Sequence, residues 1–170
     1  MKSGSTAPHP VGDSVPRVDA REKVTGAAVF ADDIQFGPGM LFARIKRSSV
    51  PHAMIKRIDV SKALALPGVK AVVTGEDFPG LTGLYLSDRN IFCRERARYV
   101  GDPIAGVAAV TEEIAEQAVA LIEVEYEPLP GVFDPEYGAS KEAPLLHPDL
   151  GKYKVANFIF PEPGTNISNH

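Results

Sequence analysis

The sequence has little of what redox and metal chemistry most often requires. Cys93 is the single cysteine in 170 residues, which excludes an intrachain disulfide and any multi-cysteine zinc or iron–sulfur arrangement held by this chain alone. The four histidines, His9, His52, His147 and His170, have none of the spacing of a zinc site. Basic residues are not in excess: 18 Lys and Arg stand against 22 Asp and Glu, a formal net charge of -4. No global positive field therefore draws the chain to nucleic acid or anionic lipid. Long apolar runs are also missing. Residues 104–110 form the longest, far short of the roughly 20 needed to cross a bilayer, and residues 1–16 lack the apolar core of a secretory signal. Neither nucleic acid nor a membrane is an expected partner, and the expected location is cytoplasmic.

What is present is ordinary for a folded protein. Hydrophobic residues make up 44% and charged residues 24%, so one compact domain is expected from a chain of this length. Residues 1–16, rich in Ser, Gly and Pro, read as a mobile arm. Residues 25–31, small and closed by Asp32 and Asp33, suit a strand. In the next stretch Leu41, Ala43 and Ile45 alternate with Phe42, Arg44 and Lys46, the period of a sheet. A strand over residues 53–60 follows a connection too short for a helical crossover, which allows the two to pair antiparallel. Ser61 can cap a short helix carrying Ala63, Leu64 and Leu66, which Pro67-Gly68 stops before a strand over 69–74.

Residues 75–90 form a long connection with a brief strand over 84–86. Residues 104–110 read as a strand buried on both faces. Thr111 caps a helix with Glu112 and Glu113 at its positive end and Ile114, Ala115, Ala118, Val119 and Leu121 on one face. Ile122, Val124 and Tyr126 then alternate with Glu123, Glu125 and Glu127. Two strand–helix–strand units result, an α+β architecture with a mixed sheet and its helices on one side. The expected division is a domain over 17–140 and a linker over 141–170.

Each candidate site has a plain structural reading beside it. Asp32 and Asp33, with Asp19 upstream, offer oxygens to a hard cation, but adjacent strand-end carboxylates point apart and more often cap a turn. His52, between Pro51 and Ala53, suits a backbone hydrogen bond better than a base. Cys93 has only Arg94, Arg96 and Arg98 to lower its pKa, so an inert, partly buried thiol is expected. Glu112 and Glu113 stand where a nucleotide fold presents free N–H groups and glycines, and they would repel phosphate. The Arg94, Arg96 and Arg98 row, with Arg44, Lys46 and Arg47, is open to two readings: a basic surface for an acidic ligand or subunit, or a solvated strand edge. Asn166-Ile167-Ser168 matches a glycosylation acceptor that means little without a secretory signal. No catalytic, cofactor-binding or metal residue is assigned.

Five segments in order resemble one family. They are Arg17-Val18-Asp19-Ala20-Arg21-Glu22-Lys23-Val24-Thr25-Gly26 with Phe30 and Asp32; Arg47-Ser48-Ser49-Val50-Pro51-His52-Ala53 with Ile58-Asp59; Leu66-Pro67-Gly68-Val69-Lys70-Ala71-Val72-Val73-Thr74-Gly75-Glu76-Asp77; Val100-Gly101-Asp102-Pro103-Ile104-Ala105; and Ile122-Glu123-Val124-Glu125-Tyr126-Glu127-Pro128-Leu129-Pro130. Together they resemble the N-terminal a/b hammerhead domain of the molybdopterin-binding large subunit of the xanthine dehydrogenase and aldehyde oxidase family, 4-hydroxybenzoyl-CoA reductases included. Ser49 stands where the family usually has proline. The resemblance implies an enzyme that hydroxylates, or in one branch reductively dehydroxylates, its substrate at molybdenum and passes electrons through two [2Fe-2S] clusters, usually to FAD. It implies as partners the remainder of the molybdopterin subunit, an iron–sulfur subunit and an FAD subunit. The family's base and its cofactor loops lie in later domains, so a structural and assembly role without a catalytic centre is expected here. The alternative is a free-standing α+β module that binds a small ligand or a protein, with a small ligand at residues 75–90.

Overall fold

A computed structural model describes Gly12, residues 14–34 and residues 36–170. They fall into two units, Met1–Met40 and Leu41–His170. The boundary therefore follows Met40, and residues 141–170, expected as a linker, belong to the same compact unit as the strands. Most of the expected arm, residues 1–11 and 13, lies outside the described residues.

In the first unit the expected strand over residues 25–31 is not formed. Helix α1 (Ala20–Thr25) occupies its start, and Gly26 ends the helix at φ 73°, a left-handed conformation that glycine adopts without Cβ strain. A single 3-10 turn, Ala31–Asp33, closes the stretch, held where the Phe30 N–H donates to the Asp33 carboxylate at 2.9 Å. Local hydrogen bonds replace the ladder that a strand needs.

The second unit is organised around a strand of small residues. Strands β1 (Phe42–Arg47), β2 (Ala53–Asp59), β3 (Val69–Thr74), β4 (Leu81–Thr82), β5 (Arg89–Asn90), β6 (Arg96–Ala97), β7 (Pro103–Ala109) and β8 (Glu123–Pro128) alternate with helices α2 (Ser61–Ala65), α3 (Glu112–Leu121) and α4 (Pro135–Ala139). The α+β class and both strand–helix–strand units stand. The single mixed sheet does not: the strands form small sheets ordered β1-β7-β3, β6-β2-β8 and β4-β5, with every pairing antiparallel among the described residues. Each strand–helix–strand unit thus sends its two strands to different sheets. Helices α2 and α3 contact each other and the β1-β7-β3 sheet.

Strands β1 and β2 do not pair with each other, and the connection between them explains why. The Ser48 N–H donates to the Asp102 carbonyl, and the Gly101 N–H donates back to the Ser48 carbonyl, both at 2.8 Å. At the other end of the connection, the His52 carbonyl accepts from the Leu129 N–H at 2.9 Å. The chain is tied to the turn before β7 and then to β8, which carries β2 away from β1. Two smaller expectations also change. Ser61 does not cap α2, whose N-cap is Val60 without a side-chain cap; the Asp59 carboxylate accepts from the Ser61 N–H and hydroxyl at 3.0 and 2.6 Å. Residues 84–86 supply only an isolated bridge, Leu86 to Val155.

Strand β7 divides the core. Ala105 and Val107 point to one side and join Ala63, Ala118 and Ile122 beneath the helices; Ile104 joins Cys93 and Ala97 on the other. Ile58 and Val124 pack against both clusters, so the β6-β2-β8 sheet bridges them. Gly106 has no room for a side chain, since a Cβ there would lie 2.9 Å from the Phe92 ring and 3.2 Å from Val73. Thr111 caps α3 through its side chain, accepting from the Ile114 N–H.

Because Ile104 is fully buried and Leu64 is 53% exposed, Ile104→Ala is expected to remove roughly 2–5 kcal/mol of stability and Leu64→Ala to change it by no more than about 0.5 kcal/mol. Urea unfolding of the two variants checks the difference.

Candidate functional site

The basic row is the most concentrated chemistry in the chain, and its side chains are directed at the chain's own acceptors. Arg94 reaches the Glu76 carboxylate at 3.2 Å. Arg96 donates to the Leu145 carbonyl at 3.2 Å, and Arg98 donates to the Leu146 carbonyl at 2.9 Å. Arg44 pairs with Glu112 and Glu116, Arg47 donates to the Gly101 carbonyl at 3.0 Å, and Lys46 donates to the Val119 carbonyl at 3.3 Å, where a cation complements the negative end of α3. The row is neither a free basic surface nor a solvated edge: it is a set of clasps, two of which hold residues 145 and 146 of the tail.

His52 completes the clasp. It is 2% exposed, its Nδ1 lies 2.7 Å from the Pro130 carbonyl and its Nε2 lies 3.4 Å from Arg96 Nη1. A carbonyl only accepts and a guanidinium only donates, so Nδ1 carries the proton and Nε2 offers its lone pair. Asn166 fastens the far end of the tail. Its amide donates to the Gly138 and Pro144 carbonyls, both at 3.0 Å, and its carbonyl accepts from the Leu146 N–H at 2.9 Å. With both amide hydrogens committed, this asparagine is unsuited to glycosylation in the folded chain, whatever its sequence pattern. Nothing in the sequence around Asn166 signalled this role, which depends on contacts some 20 to 28 residues away.

One cleft gathers titratable groups. It has a volume of about 560 Å³ and is lined by Asp88, Arg89, Cys93, Arg98, Asp102 and His147, among others. Burial pushes the Cys93 thiol up, with the Asp102 carboxylate acting in the same direction and Arg98 only weakly against it; this is the reverse of nucleophile activation. The Arg98 N–H donates to the Asp102 carboxylate at 2.9 Å. His147 Nδ1 stands 3.7 Å from Asp88, too far for a hydrogen bond, and is buried without a partner. Burial first, and the Arg98 charge second, hold the His147 imidazole below its ordinary pKa. No base is aimed at an activated nucleophile here.

The other candidates are dispersed. Asp33 caps the Phe30 turn, while Asp19 pairs with Arg17 and Lys23. Among the described residues, no group of three or more His, Cys, Asp or Glu side chains is placed to hold a metal ion, and no helix is long and apolar enough to cross a membrane. His9 lies outside the described residues.

Two measurements follow from the cleft. Cys93 is 3% exposed, so iodoacetamide should modify it in urea but leave it intact in the folded chain. The folded state disfavours protonation of His147, so the unfolded chain takes up the proton more readily. The stability from this neutral ring is complete above about pH 6.5, the unperturbed value, and is lost as pH falls below it. Between pH 7 and about pH 5, the urea midpoint of the native chain should fall more than that of His147→Gln.

Comparison with known proteins agrees with the fold. The family described as "Aldehyde oxidase and xanthine dehydrogenase, a/b hammerhead domain" matches residues 25–130. The chain is 47% identical over 135 residues to a probable xanthine dehydrogenase component of Bacillus subtilis, covering 78% of this chain and 18% of that protein. It is 40% identical over 152 residues to the nicotinate dehydrogenase large molybdopterin subunit of Eubacterium barkeri, covering 88% of this chain and 36% of that protein. Among solved structures, the aldehyde oxidoreductase of Desulfovibrio gigas superposes with a TM-score of 0.71 at 34% identity, covering 78% of this chain and 16% of that one. The chain therefore spans between about a sixth and little more than a third of the length of these relatives. By its matched residues and its fold, it belongs to the a/b hammerhead domain family of the aldehyde oxidases and xanthine dehydrogenases.

Proposed function

We propose that the chain is a structural and assembly domain within the large, molybdopterin-binding chain of a molybdenum hydroxylase, contributing surface but no reacting group. The complete enzyme would act on an aldehyde, a purine or other N-heterocycle, or an aromatic acyl-CoA, in the cytoplasm. The observation that carries this reading is an apolar tip. The 84–86 and 154–156 stretches run together, with the Ala156 N–H donating to the Tyr85 carbonyl at 2.8 Å. The Tyr85 and Phe158 rings meet edge to face at 5.4 Å. Both are more than half exposed, as are Leu84 and Phe160. An ordered apolar cluster left open to water marks an interaction surface.

Under this reading molybdenum on molybdopterin, two [2Fe-2S] clusters and FAD belong to the complete enzyme, and its partners are the rest of the large chain, an iron–sulfur subunit and an FAD subunit. The residues of this chain do not fit an iron–sulfur cluster. Such a cluster needs several thiolates, and the one cysteine is buried with its thiol pKa raised. A second reading, a free-standing module that binds a small ligand, is favoured by the cleft beside residues 82–90.

Purification of the protein from its own cells, with molybdenum, iron and flavin assayed in the recovered material, separates the two. Co-elution with all three supports the assembly role; a metal-free monomer supports the module. Tyr85→Ser combined with Phe158→Ser should reduce recovery of the complex and leave the circular dichroism of the chain unchanged.

A further inference from the structure

We infer that residues 145–153 form a strap whose opening is driven by proton uptake at His147, so that acidity bares the cleft the strap walls. All the groups concerned lie in the Leu41–His170 unit, and the inference does not rest on the proposed function.

The strap is held by side chains and not by a strand ladder. Its regular structure is a single 3-10 turn, Leu150–Lys152. Arg96 and Arg98 grip the Leu145 and Leu146 carbonyls at 3.2 and 2.9 Å, the Leu146 N–H donates to the Asn166 side-chain carbonyl at 2.9 Å, and Leu150 is buried. Through His147 the strap walls the cleft of about 560 Å³. Through Pro148, Asp149 and Tyr153 it walls a neighbouring cleft of about 280 Å³, and Asn90 and Arg98 line both. Lifting the strap would join the two clefts into one trough.

The surroundings of the imidazole make the proton the lever. The His147 side chain is 26% exposed, and its Nδ1 is buried with no hydrogen-bond partner. A charged imidazole carries a proton on both nitrogens, so protonation in place would leave a buried N–H unbonded, a cost that opening to water removes. The charges facing the ring come from several segments. Arg98, just after β6, holds the residue preceding His147 and opposes a second positive charge there, and Arg89 on β5 acts in the same direction. Asp88, just before β5, and Asp102, just before β7, favour the charge, but Asp88 stands 3.7 Å from Nδ1 and Asp102 already accepts the Arg98 backbone N–H. The Tyr153 ring covers the imidazole edge to face at 6.0 Å. The closed strap thus prefers a neutral ring, in agreement with the lowered pKa of His147, and every state that returns the ring to water gains on acidification. Opening the strap breaks two arginine–carbonyl contacts, whereas global unfolding also dismantles β7 and its sheet. The strap is therefore the lower-energy route to a hydrated ring.

Amide exchange of the chain at pH 7 and about pH 5, corrected for the intrinsic effect of pH on exchange, reads this opening at Leu146. Its protection should lie below that of Val107, be insensitive to dilute urea, and fall about tenfold between the two pH values. His147→Gln should abolish the fall, and Asp88→Asn, which removes a carboxylate that favours the charged ring, should deepen it. Protection at Leu146 equal to that at Val107 would tie hydration of the ring to global unfolding and overturn the inference. Protection that stays constant or rises on acidification would overturn it as well, a rise meaning that the charged ring closes on Asp88. So would a fall that persists in His147→Gln. If that variant does not fold, Asp88→Asn decides alone, and a fall no deeper than that of the native chain contradicts the strap.

Discussion

The structure of the Leu41–His170 unit depends on β7 carrying small residues at four of its seven positions. Ala105, Gly106, Ala108 and Ala109 let β1 and β3 pair on either edge while helices cover one face and Phe92 closes on the other. A strand buried on both faces and both edges needs all its backbone groups paired and leaves no space to spare. Its position between two apolar clusters forces the following helix onto one side. The chain must then cross to a second sheet in β8, which produces the divided sheets.

The polar groups follow from the same constraint. Once β7 and its turn are fixed, Asp102 is placed to receive the Arg98 N–H, and Ser48 is drawn to the same turn. Arg96 in β6 and Arg98 just after it then meet the carbonyls of residues 145 and 146. Charge that resembles a binding surface in the sequence is consumed in holding the tail. The Tyr85 and Phe158 tip, by contrast, is apolar and open to water. The chain matches the a/b hammerhead domain family over residues 25–130, and it covers 18% of one longer relative.

Much of this was legible in the residues. The run over 104–110 and the Thr111 cap identified β7 and α3, because continuous apolar residues and a capping hydroxyl are local signals. The pairing of β1 and β2 was not legible, since their separation is decided by Ser48 meeting Asp102, 54 positions away, and no local pattern encodes that contact. The first unit misled for the opposite reason. Residues 25–31 have strand-like composition, but Gly26 and Asp33 offer the backbone nearby hydrogen bonds. The candidate sites divide similarly. His52 was readable as a backbone-bonded turn residue, whereas the targets of Arg96 and Arg98 lie almost 50 residues along the chain.

The most direct measurement is amide hydrogen exchange across the isolated 170-residue chain at native pH. If it is a scaffold awaiting cover, Val107 and its β7 neighbours should exchange only on global unfolding, while residues 84–86 and 158–160 exchange through much smaller local openings. Protection at the tip equal to that in β7 would contradict this account and describe a module already closed upon itself.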